Sequence, residues 1–211
     1  MSDKPIWALS ATELVKKTKN NDLSATEITF AYLEHIKTIN PELNAIVDDM
    51  SKEAIKRAEN LDSAAKSGDS KGRLFGVPVT VKINVDQKGY ATSNGVSALK
   101  NSIASQNAPI VDHLLNAGAI FVGRTNTPEF SFRAETENPL YGRTHNPWGK
   151  HLSPGGSSGG ASSAVMSGMC ALAHGNDIGG SLRFPSVATG AVTLKPGLGR
   201  VPAWNSSQTN E

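Results

Sequence analysis

Between Pro154 and Ser186 the chain reads PGGSSGGASSAVMSGMCALAHGNDIGGSLRFPS, a run dominated by glycine, serine and alanine. Such a composition suits a flexible linker only when large apolar side chains are missing. Here Val165, Met166, Met169, Leu172, Ile178, Leu182 and Phe184 interrupt it. The stretch is therefore expected to be tightly packed backbone, with glycines permitting turns and close approaches that a Cβ would block. The rest of the chain has to supply a core against which that backbone packs.

Upstream, Val77, Val79, Val81, Ile83 and Val85 alternate with Pro78, Thr80, Lys82, Asn84 and Asp86. That is a strand period with β-branched residues on one face. The spacing predicts a helix over 109–116, ending at Gly118, and a second strand over 119–122. Strand, helix, strand in that order suggests an α/β sheet. The first seventy residues read as helical. Ser10 with Glu13 and Ser24 with Glu27 fit capping boxes. Ile28, Ala31, Tyr32, Ile36 and Ile39 follow at helical spacing, with Pro41 marking an end. A third amphipathic stripe runs over 51–67 and closes at Gly68. The organisation expected is a helical amino-terminal scaffold over 1–72 and a core over 73–211.

The 211 residues carry a formal charge of +2 and no dense Lys/Arg run, which argues against nucleic acid as a partner. No apolar run approaches the roughly 20 residues of a membrane span. The amino terminus has no apolar leader, so the expectation is a soluble, cytoplasmic protein. The single cysteine, Cys170, lies between Met169 and Ala171 and reads as a buried, inert thiol. The five histidines show no metal-ligand spacing.

Several serines invite a nucleophilic reading. Gly155 to Gly160 satisfies G-x-S-x-G at both Ser157 and Ser158, but no strand precedes it and no downstream acid-then-histidine order follows. The same loop lacks the Gly-Lys-Ser/Thr ending of a phosphate cradle. Ser97 and Lys100 match S-x-x-K without its companion motifs. The stronger case is Asp177-Ile-Gly-Gly-Ser181. Two glycines before a serine let successive N–H groups converge on one point, beside which an oxyanion would form. A serine nucleophile needs a base. Lys82, opposite the valine row, is a candidate if burial keeps its amine neutral, although a surface lysine on a strand fits the spacing equally well.

These motifs, with GVPVTVKINVDQKG, VGRTNTPEF, YGRTHNPWGK and TLKPGLGRVPAWN, resemble the amidase signature family from about Ala8 onward. The resemblance implies an α/β fold with a central mixed β-sheet flanked by helices. It implies a Ser-cisSer-Lys triad on Ser181, Ser157 and Lys82, with Ser181 as nucleophile and Ser157 relaying its proton to Lys82. The peptide before Ser157 would be cis. Backbone N–H groups of Ile178, Gly179, Gly180 and Ser181 would form the oxyanion hole. Ser158 would be adjacent but point elsewhere, and Asp177 and Arg183 would hold the loop by ionic hydrogen bonds. No metal or organic cofactor is implied.

Two departures from the family pattern stand out. Its V-K-D-N reads Val81-Lys-Ile-Asn84 here, so Ile83 replaces an acid. Family members are also considerably longer, which implies a sheet incomplete on its carboxy-terminal side. A homodimer or a missing carboxy-terminal half is expected to supply the remainder. The resulting expectation is an amidohydrolase acting on a small-molecule carboxamide. The alternatives are the amidase (A) subunit of a tRNA-dependent amidotransferase, against which Phe184-Pro-Ser186 weighs, and a truncated, non-catalytic relic or binding protein.

Overall fold

The computed structural model describes residues 4–68 and 72–208. Both capping boxes form. Ser10 Oγ accepts from the Glu13 N–H and the Glu13 carboxylate accepts from the Ser10 N–H, opening α1 (Ala11–Lys19). Ser24 and Glu27 do the same at α2 (Ala25–Leu43). Each box satisfies amides that a helix start leaves unpaired. The α2 helix does not stop at Pro41. It runs on to the buried Leu43, and Asn44 at φ 48° closes it, its N–H donating to the Asn40 carbonyl at 2.7 Å. One missing proline N–H in the last turn costs less than exposing Leu43.

A short strand, β1 (Ile46–Asp49), follows α2 where the sequence suggested only helix. After it come α3 (Ser51–Lys66), β2 (Pro78–Lys82), α4 (Pro109–Asn116) and β3 (Ile120–Thr125). A small hairpin of β4 (Glu137–Asn138) and β5 (Gly142–Arg143) leads to α5 (Gly159–Met166). Then come β6 (Leu172–Ala173) and α6 (Arg183–Thr189). The main sheet is mixed, in the order β1-β3-β2-β6. β1 runs antiparallel to β3, while β2 lies parallel to both β3 and β6.

Helices cover both faces of this sheet. On one, Val111 of α4 packs with Val79, Val81 and Phe121. On the other, Ala25 of α2, Ala54 and Ala58 of α3 and Ala164 of α5 pack with Ile120 and Val122. Two covered faces explain why both rows of the alternation in β2 are buried. β2 ends at Lys82 rather than near Asp86, and all five of its residues are buried, as befits a strand sandwiched between layers. The alternation survives as geometry. Val79 and Val81 face α4, while Thr80 and Lys82 face the α5 side.

Cys170 lies in the α5-side core with its Sγ 3.4 Å from Thr80 Oγ1. Burial pushes its thiol up to about 12. Iodoacetamide at mildly alkaline pH is therefore expected to leave Cys170 unmodified in the folded chain and to alkylate it after unfolding in guanidinium, read by mass spectrometry.

The start of α5 is pressed into the molecule. A Cβ on Gly160 would stand 2.5 Å from the Asn126 nitrogen, 2.6 Å from its carbonyl oxygen and 2.9 Å from the Ala45 carbonyl oxygen. All three are backbone atoms and cannot step aside. Alanine would add about 1 kcal/mol of helix propensity, and the clash outweighs it. Gly160→Ala is expected to destabilise by about 2–3 kcal/mol, measured as a lower urea midpoint at unchanged m-value.

Candidate active site

The carboxyl ends of the parallel strands β2, β3 and β6 point the same way, the usual location of a site in an open α/β sheet. Lys82 is the last residue of β2 and is wholly buried. The loop 154–158 brings the start of α5 across this end of the sheet. Its Gly156–Ser157 peptide is cis. Lys82 Nζ then meets three oxygens: Ser157 Oγ at 2.7 Å, Asn176 Oδ1 at 2.8 Å and Ser158 Oγ at 3.2 Å. Burial lowers the lysine to about 7, against a smaller opposing pull from Asp177. An amine in this state is neutral in a substantial fraction of molecules near neutral pH and able to accept a proton.

The expectation that Ser158 points away from this centre is not met. Its own hydroxyl donates to the Asn176 carbonyl at 3.2 Å, which leaves its oxygen free to accept from Lys82. As the residue preceding α5 it sits one peptide from Ser157, so both hydroxyls face the same amine.

Ser181 is held beside this pair through its backbone. The Ser158 N–H donates to the Ser181 carbonyl at 3.1 Å. Among the described residues the Ser181 hydroxyl makes no hydrogen bond, so the expected Ser157–Ser181 link is not formed in this conformation.

The nest around the glycines turns inward rather than toward Ser181. The Asp177 carboxylate, its side chain out of solvent contact, gathers the N–H groups of Gly180 at 2.8 Å, Leu182 at 3.1 Å and Arg183 at 3.3 Å. The Gly180 N–H, expected as an oxyanion donor, is thus already engaged by a carboxylate. The N–H groups of Ile178, Gly179 and Ser181 have no acceptor among the described residues. Arg183 closes the arrangement with Nε and Nη2 on the same carboxylate at 3.0 and 2.9 Å. Its guanidinium, with the loop N–H groups, holds Asp177 well below the usual carboxylate range.

Around this site runs a further set of contacts that the sequence did not flag. Asn176 and Asn84 exchange side-chain hydrogen bonds at 3.0 and 3.3 Å, and Asn84 Nδ2 also donates to Ser131 Oγ at 3.1 Å. Arg124, fully buried on β3, grips the turn after Lys82. Its Nη2 donates to the carbonyls of Ile83 at 3.3 Å and Val85 at 3.0 Å. Its Nη1 donates to Ala91 at 2.8 Å and pairs with Asp48 at 2.9 Å. Asp86 accepts from Thr92, Ser206 and Ser207 at 2.6 to 2.8 Å, and Asn205 Nδ2 reaches the Asn84 carbonyl at 3.2 Å.

His174, just beyond β6, is pushed down to about 4 by burial and by the nearby Lys82, which leaves it neutral. Among the described residues no group of three His, Cys, Asp or Glu side chains is placed to hold a metal, and no helix is long and apolar enough to cross a membrane.

The structure thus places a buried lysine amine on Ser157, as the family resemblance implied, and on Ser158, which it did not, with Ser181 behind two glycines close by. A family model described as Amidase matches residues 27–209. The chain belongs to the amidase family. Its amidase relatives include an indoleacetamide hydrolase of Bradyrhizobium diazoefficiens, 50% identical over 98% of this chain and 40% of its own length. The A subunit of the glutamyl-tRNA(Gln) amidotransferase of Caldanaerobacter subterraneus subsp. tengcongensis is 38% identical over 93% of this chain and 40% of its own length. Among solved structures, a bacterial aryl acylamidase of the amidase signature family superposes with a TM-score of 0.84 at 32% identity, covering 88% of this chain and 39% of that one. The mixed sheet flanked by helices is therefore the amidase-signature fold. The chain spans about 40% of the length of the curated relatives it matches.

Within this amidase framework Asn84 and Asn176 are the functional candidates that sequence reasoning missed. Both stand inside the motifs quoted for the family, in Val81-Lys-Ile-Asn84 and in His174-Gly-Asn-Asp177. Asparagine carries no charge and no nucleophile, so only its position beside Lys82 reveals it.

Proposed function

We propose that the protein is an amidohydrolase that cleaves a carboxamide through an acyl-enzyme on Ser181. The observation that carries this reading is the 2.7 Å contact between Lys82 Nζ and Ser157 Oγ in a site where burial lowers the amine to about 7. In the reaction, Ser181 Oγ attacks the carbonyl carbon as its proton moves to Ser157 Oγ and the Ser157 proton moves to Lys82. The lysine proton returns through Ser157 to the leaving nitrogen as the C–N bond breaks. Water then attacks the ester by the same relay, and the acid departs.

The N–H groups of Ile178, Gly179 and Ser181, without an acceptor among the described residues, are the donors that would meet the oxyanion. Rotation of the Ser181 side chain toward Ser157 is the step that completes the relay, in keeping with catalytic hydrogen bonds that tighten only with substrate bound. The 50% identity to an indoleacetamide hydrolase favours a primary carboxamide carrying an aryl group.

The test is treatment of the purified chain with a fluorophosphonate, the adduct mapped by mass spectrometry, beside ammonia release from indole-3-acetamide. Labelling confined to Ser181 and lost in Ser181→Ala supports the reading. A folded chain that takes no label, or takes it elsewhere, overturns it. The similarity to the amidotransferase of Caldanaerobacter favours a second reading, a glutaminase working within a complex. Ammonia release from glutamine in preference to indole-3-acetamide would decide for it.

A further inference from the structure

A neutral lysine amine has two N–H donors and one lone pair. Three oxygens surround Lys82 Nζ, so two of them should accept and the third should meet the lone pair. The structure distinguishes the three. Asn176 Oδ1 is an acceptor only, 2.8 Å away. Ser158 Oγ has given its own proton to the Asn176 carbonyl and is left to accept. Ser157 Oγ, at 2.7 Å, is the group whose proton is free to point back at the nitrogen.

Asn176 is itself held. Its Nδ2 donates to Asn84 Oδ1 at 3.0 Å, and its Oδ1 also accepts from Asn84 Nδ2 at 3.3 Å. Asn84 is anchored in turn by Ser131 Oγ at its side chain and by Asn205 Nδ2 at its carbonyl. We propose that the Asn84–Asn176 side-chain pair is a positioning device for Lys82, occupying one amine N–H so that the lone pair faces Ser157. The use of that lone pair in catalysis rests on the amidohydrolase reading; its orientation rests on the contacts alone.

The choice of an amide over a carboxylate is part of the device. An anion at position 176 would stabilise the ammonium and remove the base at neutral pH. The neighbouring Asp177 exerts this pull only weakly, less than burial opposes it, and its carboxylate is engaged by Arg183 and three loop N–H groups rather than by the amine. The other groups near the amine work toward neutrality or are engaged elsewhere. His174 is neutral, and Arg124 on the neighbouring β3 directs its charge to Asp48 and to backbone carbonyls.

Two measurements on the 211-residue chain test the proposal. In the first, the chain is labelled with 15Nζ-lysine and the Lys82 resonance, identified by its loss in Lys82→Met, is titrated by NMR. Asn176→Asp, which is isosteric, is expected to raise the Lys82 midpoint by about one unit or more. In the second, the rate of Ser181 labelling by a fluorophosphonate is followed against pH. Asn176→Ala is expected to slow labelling about 10–100-fold at every pH. Asn176→Asp should be slow at neutral pH and regain rate as the pH passes its raised midpoint, a rescue that a merely structural role would not give.

An unmoved midpoint in Asn176→Asp, or parental labelling of Asn176→Ala across the profile, overturns the proposal. If the parent chain takes no label at all, the amidohydrolase reading fails, and the 15Nζ midpoint alone decides whether Asn176 governs the amine.

Discussion

Lys82→Met is expected to lower amide turnover at least about 10³-fold, within the range that a positioned general base contributes. Methionine is unbranched and only one atom shorter than lysine, so it fills most of the buried channel and the loss is mainly chemical. Ser157, Ser158 and Asn176 each lose a partner at 2.7 to 3.2 Å. Each unsatisfied group costs about 1–3 kcal/mol, partly offset because the buried amine no longer has to be desolvated.

The parental pH dependence follows from the same group. Burial lowers Lys82 from 10.5 to about 7, and in the proposed mechanism the neutral form is the base. Turnover should therefore rise with pH around that midpoint and fall about tenfold between one unit above and one unit below it. The sign for stability is separate. Between about 7 and 10.5 the unfolded chain binds the proton and the folded chain does not, so folding is favoured as pH rises across that window. Lys82→Met should abolish that slope. Steady-state ammonia release and urea melts at several pH values measure the two effects. A variant that kept both the turnover and the slope would remove Lys82 from the mechanism.

Arg124→Ala carries the largest expected loss of stability, about 3–5 kcal/mol. The guanidinium is fully buried, and its removal leaves Asp48 without its ion pair and the carbonyls of Ile83, Val85 and Ala91 without these donors. The effect is not confined to stability. Ile83 follows Lys82 directly, so loosening the turn displaces the amine from Ser157. Arg124→Lys should recover only part of the loss, because an ammonium on a flexible stem cannot reproduce a planar fork spanning four acceptors. Urea midpoints for the three proteins, with Ser181 labelling as a reporter of the site, check this. Equal stability of Arg124→Lys and the parent would show that charge alone matters there.

Local signals are legible where local chemistry decides them. The capping residues Ser10, Glu13, Ser24 and Glu27 act within three positions of one another, and the helices they open are where the sequence puts them. The valine row over 77–81 announces a strand and the side on which Lys82 lies. Elements that depend on distant partners are illegible. β6 is two residues long and exists because Leu172 and Ala173 find Val79 and Thr80. β1 follows a helix closely and is defined by pairing with β3 across a bulge.

The same division holds in the site. Ser181 stands out because a serine follows two glycines, whereas Lys82 and Ser157 are picked out through the family resemblance. Asn176 and Asn84, and the turn of the Ser158 hydroxyl toward Lys82, become visible only once three separate segments meet. That Asp177 and Arg183 hold the loop is expected from the sequence, but nothing local says that the carboxylate also takes the Gly180 N–H, one of the expected oxyanion donors.

The Asp86 cluster gives the site a history in time. Its bonds to Ser206 and Ser207 join positions 120 and 121 residues apart, whereas Lys82 and Ser157 are 75 apart. Closing a longer loop costs more chain entropy, though each doubling adds only about 0.6 kcal/mol, so order is set mainly by what is already in place to receive the segment. Asn205 can bond the Asn84 carbonyl only after the turn beyond β2 has taken shape. We expect the Lys82 amine to be enclosed before the segment over 205–207 locks behind it. During refolding, the Ser207 amide should be among the last to gain protection from hydrogen exchange and among the first to lose it on warming.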